Sequence, residues 1–212
     1  MDSADFILEE YKHLTDSFLR NEELGERRVN FFLTLTTTVI GALAAIREIF
    51  GDIDMMKFYI GFGAALLAVL LFGVVTLMRI IHRNLATDKY LRALARIRRY
   101  FADSDQGTIK ILPYMPYKLF DDQPQRRKKW ADIYSFGNGG LLETVALVNS
   151  VITAALCGLF AFFRLEWIGW NFWLAPIVGF IFAWGVQFLY TKLRYDAGKP
   201  NIEDIHFPSP RE

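Results

Sequence analysis

Eight basic side chains are the strongest candidates for binding chemistry in this sequence. They are Lys89, Arg92, Arg96 and Arg99 in one segment, and Arg126, Arg127, Lys128 and Lys129 further along. The spacing of the first four places them on one face of a helix, because residues three or four apart are neighbours on a helical surface. Such a cationic face attracts anionic lipid headgroups, an acidic segment of the same chain, or an anionic ligand such as a nucleotide or oligonucleotide. The sequence leaves these three interpretations open.

A second group of candidates consists of polar side chains inside apolar segments. One helical face carries Asn30, Thr34, Thr37 and Gly41, and another carries Glu143, Asn149 and Thr153. Polar groups that face lipid are disfavoured, so these faces should contact other helices or water. Two interpretations follow: the polar groups hydrogen-bond where helices pack, or one face lines an aqueous path in an oligomer.

Motifs for catalysis, cofactor binding or metal binding are missing from the sequence. His13, His82 and His206 are isolated, and Cys157 is the single cysteine. The one Gly-x-Gly stretch, residues 61–63, lies within an apolar segment and has no nucleotide-loop context. We therefore predict that the chain is not an enzyme and holds no cofactor or metal.

The elements that must position these side chains are four apolar segments. They cover about residues 30–46, 58–81, 141–163 and 171–190, and charge is confined almost entirely to their flanks. Crossing a bilayer takes about 20 apolar residues per helix, and each segment is close to that length. The sequence predicts an all-α protein with four transmembrane helices.

Helical periodicity continues outside the first two apolar segments. Ile7, Tyr11, Leu14 and Phe18 recur at helical spacing and predict an amphipathic helix over residues 4–28. The second helix should continue to about residue 101, since nothing after residue 81 breaks it. The predicted regions are an amphipathic helix (1–29), a transmembrane hairpin (30–81), a basic cytoplasmic segment (82–136), a second hairpin (137–191) and a cytoplasmic tail (192–212). Small residues around Gly61 and Gly63 favour a close approach between the first two spans.

The distribution of Lys and Arg predicts the orientation. Residues 79–129 hold thirteen Lys and Arg against five Asp and Glu, whereas the two short turns between spans hold only Arg47, Lys57 and Arg164. Basic flanks stay in the cytoplasm. With four spans all the basic flanks fall on one side, so both ends of the chain are expected in the cytoplasm.

The beginning of the chain resembles a group of bacterial membrane proteins. The resemblance rests on Glu10-Tyr11-Lys12, Asn21-Glu22-Glu23, Gly25-Glu26-Arg27-Arg28 and Asn30-Phe31-Phe32-Leu33-Thr34-Leu35. This stretch is similar to the first span of small membrane proteins encoded with antiviral defence genes, including SLATT-like proteins and the four-helix partners in systems such as Kiwa and Hailong. The resemblance covers about the first 50 residues. It implies an effector or sensor that oligomerises in the inner membrane, although this chain has four spans where SLATT proteins have two.

These observations together predict a homo-oligomeric, channel-like effector or sensor of the bacterial inner membrane. A tetramer is the working expectation, and control would come from a soluble cytoplasmic partner or an anionic nucleotide or oligonucleotide signal. The alternative is a scaffold that sits in the lipid bilayer, recruits a soluble protein and conducts nothing.

Overall fold

The computed structural model describes residues 3–49, 54–104, 140–164 and 173–197. They form four α-helices: α1 (Ser3–Ile49), α2 (Met55–Ser104), α3 (Leu141–Arg164) and α4 (Leu174–Ala197). Within these ranges there is no β-strand, so the predicted all-α class is confirmed. The basic run 126–129, most of the predicted segment 82–136 and the tail after residue 197 lie outside the described residues.

Each of the four helices is long and apolar enough to cross a membrane. The mean hydropathy of their most apolar stretches ranges from 1.6 in α4 to 2.5 in α2. Four such helices define a multi-pass membrane protein. The predicted four-helix transmembrane architecture is therefore confirmed.

The first two helices are much longer than a span requires. α1 has 47 residues and α2 has 50, which corresponds to lengths of about 70 and 75 Å. The predicted helical extensions are thus confirmed: α1 begins well before its apolar part, and α2 continues well past its own. Neither helix is interrupted between its apolar and polar parts. At the start of α2 the carboxylate of Asp54 accepts a hydrogen bond from the backbone N–H of Met56 (2.9 Å) and caps the helix.

Neighbouring helices run antiparallel. Two contacts for each pair of helices show this, because the residue number rises along one helix as it falls along the other. They are Asn21–Thr87 and Phe31–Phe72 for α1 and α2, Tyr59–Phe163 and Gly73–Asn149 for α2 and α3, and Asn149–Gln187 and Cys157–Gly179 for α3 and α4. α2 and α3 each contact all three other helices, whereas α1 and α4 do not contact each other. α2 and α3 therefore occupy the centre and α1 and α4 lie at opposite edges.

The core lies where α1, α2 and α3 meet. Its fully or almost fully buried apolar side chains include Val29, Phe32, Leu66, Leu77, Ile81, Val145 and Ile152. Many large apolar side chains on the outer faces of α2, α3 and α4 are exposed, for example Leu71, Phe160 and Phe182. In a membrane protein lipid covers these faces, so their exposure agrees with four membrane-spanning helices.

The glycines that allow close packing are not the ones that the sequence indicated. A Cβ atom added to Gly61 or Gly63 would meet nothing within 4 Å, so the small residues at the start of α2 do not bring the two spans together. A Cβ atom at Gly73 or Gly25 would instead overlap a neighbouring side chain. Glycines in the sequence indicate where two helices can approach each other closely. The rotation of each helix about its own axis decides which glycine faces a neighbour.

The fourth helix continues beyond the apolar segment that the sequence indicated as its span. It begins at Leu174 and ends at Ala197, whereas the apolar segment alone predicted residues 171–190. Its last two turns are held by the protein: Thr191 is fully buried, and the Tyr195 hydroxyl accepts a hydrogen bond from the Asn84 amide (2.9 Å). Tertiary contacts therefore extend the helix beyond its apolar stretch.

The polar parts of α1 and α2 project beyond the other two helices as an antiparallel pair. We call this pair the stalk and define it as residues 3–20 of α1 and 86–104 of α2. The nineteen stalk residues of α2 extend about 28 Å at 1.5 Å per residue. The N-terminal part of α1 and the C-terminal parts of α2 and α4 thus lie at the same end of the molecule, which we call the stalk end.

Candidate functional site

A buried amide pair joins α3 and α4 in the middle of the bundle. The Asn149 Nδ2 group donates a hydrogen bond to Gln187 Oε1 (3.2 Å). Gln187 Nε2 donates to the Ser150 hydroxyl (3.1 Å) and to the backbone carbonyls of Ala183 (3.1 Å) and Ala146 (3.3 Å). Asn149 and Ser150 are 0% exposed and Gln187 is 8% exposed. These polar groups therefore bond one another within the monomer.

Gly73 of α2 supplies the space that the Asn149 side chain occupies. An ideal Cβ at Gly73 would overlap Asn149 Oδ1 and would stand 2.9 Å from both Asn149 Cγ and Phe32 Cε2. Asn149 Oδ1 itself is buried and has no hydrogen-bond partner in the described part of the chain. α1, α2 and α3 therefore meet at Gly73. The Asn149 amide beside it is hydrogen-bonded through Nδ2 but not, among the described residues, through Oδ1.

A second polar cluster lies at the base of the stalk and centres on Arg83. Its guanidinium lies across Gly25, donates to the Glu22 carbonyl oxygen through Nη1 (3.3 Å) and donates to Asn84 Oδ1 through Nη2 (3.2 Å). Asn84 in turn donates to Tyr195 of α4. Arg83 Nε is buried without a partner among the described residues. The cluster links α1, α2 and α4 where the stalk leaves the bundle.

Hydrogen bonds join α1 and α2 at the base of the stalk and along it. Asn21 Nδ2 donates to the Thr87 hydroxyl (3.0 Å), and that hydroxyl donates to Glu22 Oε1 (3.2 Å). Further out, Arg98 donates to the Tyr11 hydroxyl through Nη2 (2.8 Å) and Nε (3.2 Å), and its guanidinium also lies 5.6 Å from the Tyr11 ring centroid. α1 therefore packs along α2 through these polar and cation–π contacts.

The structure describes the side chains of two of the eight predicted basic binding residues. Lys89 is exposed on the stalk, and Arg96 is half-buried and engaged in contacts. Arg92 and Arg99 belong to α2, but their side chains are not described. Arg126, Arg127, Lys128 and Lys129 lie outside the described residues. The structure thus brings Lys89 and Arg96 onto one stalk helix and leaves their relation to the later basic run unspecified.

The two predicted polar faces have different surroundings. Asn30, Thr34, Thr37 and Gly41 are all exposed, and they lie on the side of α1 opposite Val29, Phe32 and Thr36, which are buried. On α3, by contrast, Asn149 is fully buried and Thr153 is half-buried, with its hydroxyl bonded to the Asn149 carbonyl oxygen (2.8 Å). Glu143 is half-buried in the first turn of α3. The α1 face is open to its surroundings, whereas the α3 face is largely occupied by neighbouring helices.

Sequence reasoning identified Asn149 and the α1 face but missed Gly73 and Arg83. A single glycine among apolar residues carries no signal of its own, because the α2 sequence contains several. The sequence carried only part of the signal for Arg83: its place just after an apolar segment could be read there, but its approach to Gly25 of the facing helix could not. Within the described ranges, no three His, Cys, Asp or Glu side chains come together as a metal site would require.

No protein-family model, curated protein or solved structure matches this chain. The class that the fold itself defines is a four-helix, multi-pass membrane protein with a helical stalk on one side.

Proposed function

We propose that this protein is a homo-oligomeric, channel-like effector or sensor of the bacterial inner membrane, controlled through its stalk end. The antiviral setting of this proposal rests on the resemblance of residues 10–35 to defence-associated membrane proteins. The oligomeric and channel-like part rests on the outward face of α1.

The observation that carries the proposal is the position of the polar α1 face at membrane depth. Asn30, Thr34, Thr37 and Gly41 extend over twelve residues, a rise of about 17 Å, which is more than half of a hydrocarbon core of about 30 Å. In an isolated monomer this whole face would contact lipid. Polar and small residues concentrate where transmembrane helices pack together or line water, so their outward position favours a second copy of the chain.

The members of this face differ in whether their polar groups are already hydrogen-bonded within the chain. The Thr37 hydroxyl bonds to the backbone carbonyls of Leu33 and Thr34 (3.0 Å each), which lowers the cost of placing it in lipid. The Asn30 amide has no hydrogen bond in the described part of the chain. A bond between helices contributes about 0.6 kcal/mol on average in a membrane. Several contacts along the face are therefore needed to hold an oligomer together.

Control through the stalk end follows from charge and shape. The opposite end of the described helices carries three Lys and Arg, whereas the stalk carries seven: Lys12, Arg20, Lys89, Arg92, Arg96, Arg98 and Arg99. The preference of basic flanks for the cytoplasm would place the stalk there. A cytoplasmic partner or an anionic nucleotide signal would then reach α1 and α2 directly, and both helices continue into the membrane.

Cysteine cross-linking tests the arrangement of subunits. In a Cys157→Ala background, Thr34→Cys or Thr37→Cys should form disulfide-linked dimers in native membranes under mild oxidation. Val178→Cys on α4 is the control, because this side chain is also exposed (62%) but lies on the opposite edge helix. Equal cross-linking at all three positions, or none at the α1 positions, would contradict an α1 interface.

Ion flux tests the channel-like activity separately. Purified protein in proteoliposomes should release potassium when the cytoplasmic signal or partner is present, and Thr37→Val, which keeps the shape but removes the hydroxyl, should change the conductance. Protein that cross-links through α1 but stays silent with and without its partner would count against conduction.

One observation favours the scaffold as the alternative. The stalk exposes large apolar side chains, with Phe6 61%, Leu8 49% and Leu19 57% exposed, and such side chains fit a docking surface for a soluble protein. In that case, replacing Arg126–Lys129 with Gln should abolish pull-down of the partner, and no variant should alter ion flux.

A further inference from the structure

A groove of about 290 Å³ lies between α1 and α2 on the outer surface, near the base of the stalk. Three arginines line it, Arg27, Arg28 and Arg79, together with the apolar residues Phe31, Phe72 and Val75. A cationic opening above an apolar floor has the character of a site for an amphiphile with an anionic head.

The charges in the groove are only partly compensated. Arg27 forms an ion pair with Glu23 (2.6 Å), one turn earlier on α1. Arg28 and Arg79 make no hydrogen bond or ion pair with any described residue, and both are exposed. A bound anion would supply the opposite charge that no described residue gives to Arg28 and Arg79.

The floor of the groove is formed by an aromatic pair across the two helices. The rings of Phe31 and Phe72 meet edge to face with centroids 5.8 Å apart. Both rings remain accessible, at 59% and 37% exposure, and Val75 continues the apolar surface along α2. A hydrocarbon chain can lie against this surface, whereas a small inorganic anion gains nothing from it.

The groove also lies at the depth of lipid headgroups. From Phe58, near the start of α2, to Arg79 the helix rises by twenty-one residues, or about 32 Å. That distance equals the thickness of a typical hydrocarbon core. When Phe58 lies at one boundary of the hydrocarbon core, Arg79 lies at the other, together with Arg27 and Arg28 of α1.

We propose that this groove binds an anionic phospholipid of the surrounding bilayer. The guanidinium groups of Arg28 and Arg79 hold the phosphate, and one acyl chain lies against Phe31, Phe72 and Val75. Inorganic phosphate carries the same anionic group as the lipid head, but only a lipid also has an acyl chain that contacts Phe31, Phe72 and Val75. The site belongs to the monomer, so it does not depend on oligomerisation or conduction.

Lipid titration of the delipidated full-length protein, followed by native mass spectrometry, tests this assignment. Dioleoylphosphatidylglycerol should bind more tightly than dioleoylphosphatidylcholine. The double variant Arg28→Gln/Arg79→Gln should weaken phosphatidylglycerol binding about 25-fold, since one basic contact near a membrane surface is worth about fivefold. The double variant Lys12→Gln/Arg20→Gln removes the same charge from exposed positions further out on α1 and should bind like the original protein.

A third variant separates the groove from charge alone. Val75→Trp fills the groove and keeps every arginine, so it should also weaken phosphatidylglycerol binding. Inorganic phosphate at matched concentration should not displace the lipid. The proposal fails if the two double variants bind equally, if Val75→Trp has no effect, if the two lipids bind alike, or if phosphate competes.

Discussion

Replacing Gly73 with alanine should destabilise the bundle at the point where three helices meet. The new methyl group would overlap Asn149 Oδ1 and stand 2.9 Å from Phe32 Cε2, and both of these side chains are fully buried. Asn149 cannot rotate away without breaking its hydrogen bond to Gln187. Either α2 moves outward or the amide pair separates.

The size of the effect follows from three contributions. Overpacking a buried site costs about 1–3 kcal/mol. Loss of one hydrogen bond between membrane helices adds about 0.6 kcal/mol. Alanine is favoured over glycine within a helix by about 0.5–1 kcal/mol, which offsets part of this. We expect a net loss of about 0.6–3 kcal/mol in the free energy of unfolding of Gly73→Ala.

Unfolding in mixed micelles with increasing SDS, followed by tryptophan fluorescence, measures this loss. Gly61→Ala is the matched control on the same helix: its Cβ meets nothing within 4 Å, so it should be neutral or slightly stabilising. Adding Asn149→Ala to Gly73→Ala should restore part of the stability, but not all, because the contact with Phe32 remains. If Gly73→Ala and Gly61→Ala unfold alike, the proposed packing of α2 against Asn149 is incorrect.

Three further changes probe the polar contacts. Gln187→Leu leaves the Asn149 amide buried without its partner and should lower stability by about 1–2 kcal/mol in the same SDS assay; an unchanged midpoint would mean that the amide pair is not formed. Gly25→Ala displaces the Arg83 guanidinium, a flexible group, so it should leave the SDS midpoint nearly unchanged but speed trypsin cleavage within the stalk. Tyr11→Phe removes the hydroxyl that receives two hydrogen bonds from α2 but keeps the ring, and it should increase amide hydrogen exchange around residues 8–14 while the bundle core stays protected. Unaltered exchange there would show that this contact does not hold the stalk closed.

Much of the fold could be predicted because the relevant forces act along the chain. Charge-free apolar stretches determine where helices cross a membrane, and the continuous periodicity around Tyr11 and Leu94 extends α1 and α2 beyond it. The rotation of each helix could not be predicted in the same way. It depends on which small residue faces which large one across the bundle, and Gly61, Gly63 and Gly73 are indistinguishable until Asn149 is in place.

The candidate site, like the fold, could be predicted from the sequence only in part. The polar composition of α1 was sufficient to single out Asn30 and Thr34, and the structure adds that this face points away from the protein. The role of Arg83 was not predictable, because it depends on the distance between two helices at Gly25. Local spacing shows that side chains share a face, but only the assembled bundle shows what that face meets.

The continuity of α1 and α2 through the membrane boundary has a mechanical consequence. A hinge would need a break in at least one helix, and each of these runs without interruption from the stalk into the bundle. A force applied at the stalk tip is therefore transmitted as a tilt of both helices, and a tilt of 10° moves a tip about 28 Å away by about 5 Å. The reverse also holds: a small change in helix inclination within the lipid is magnified at the tip, where a soluble molecule could detect it.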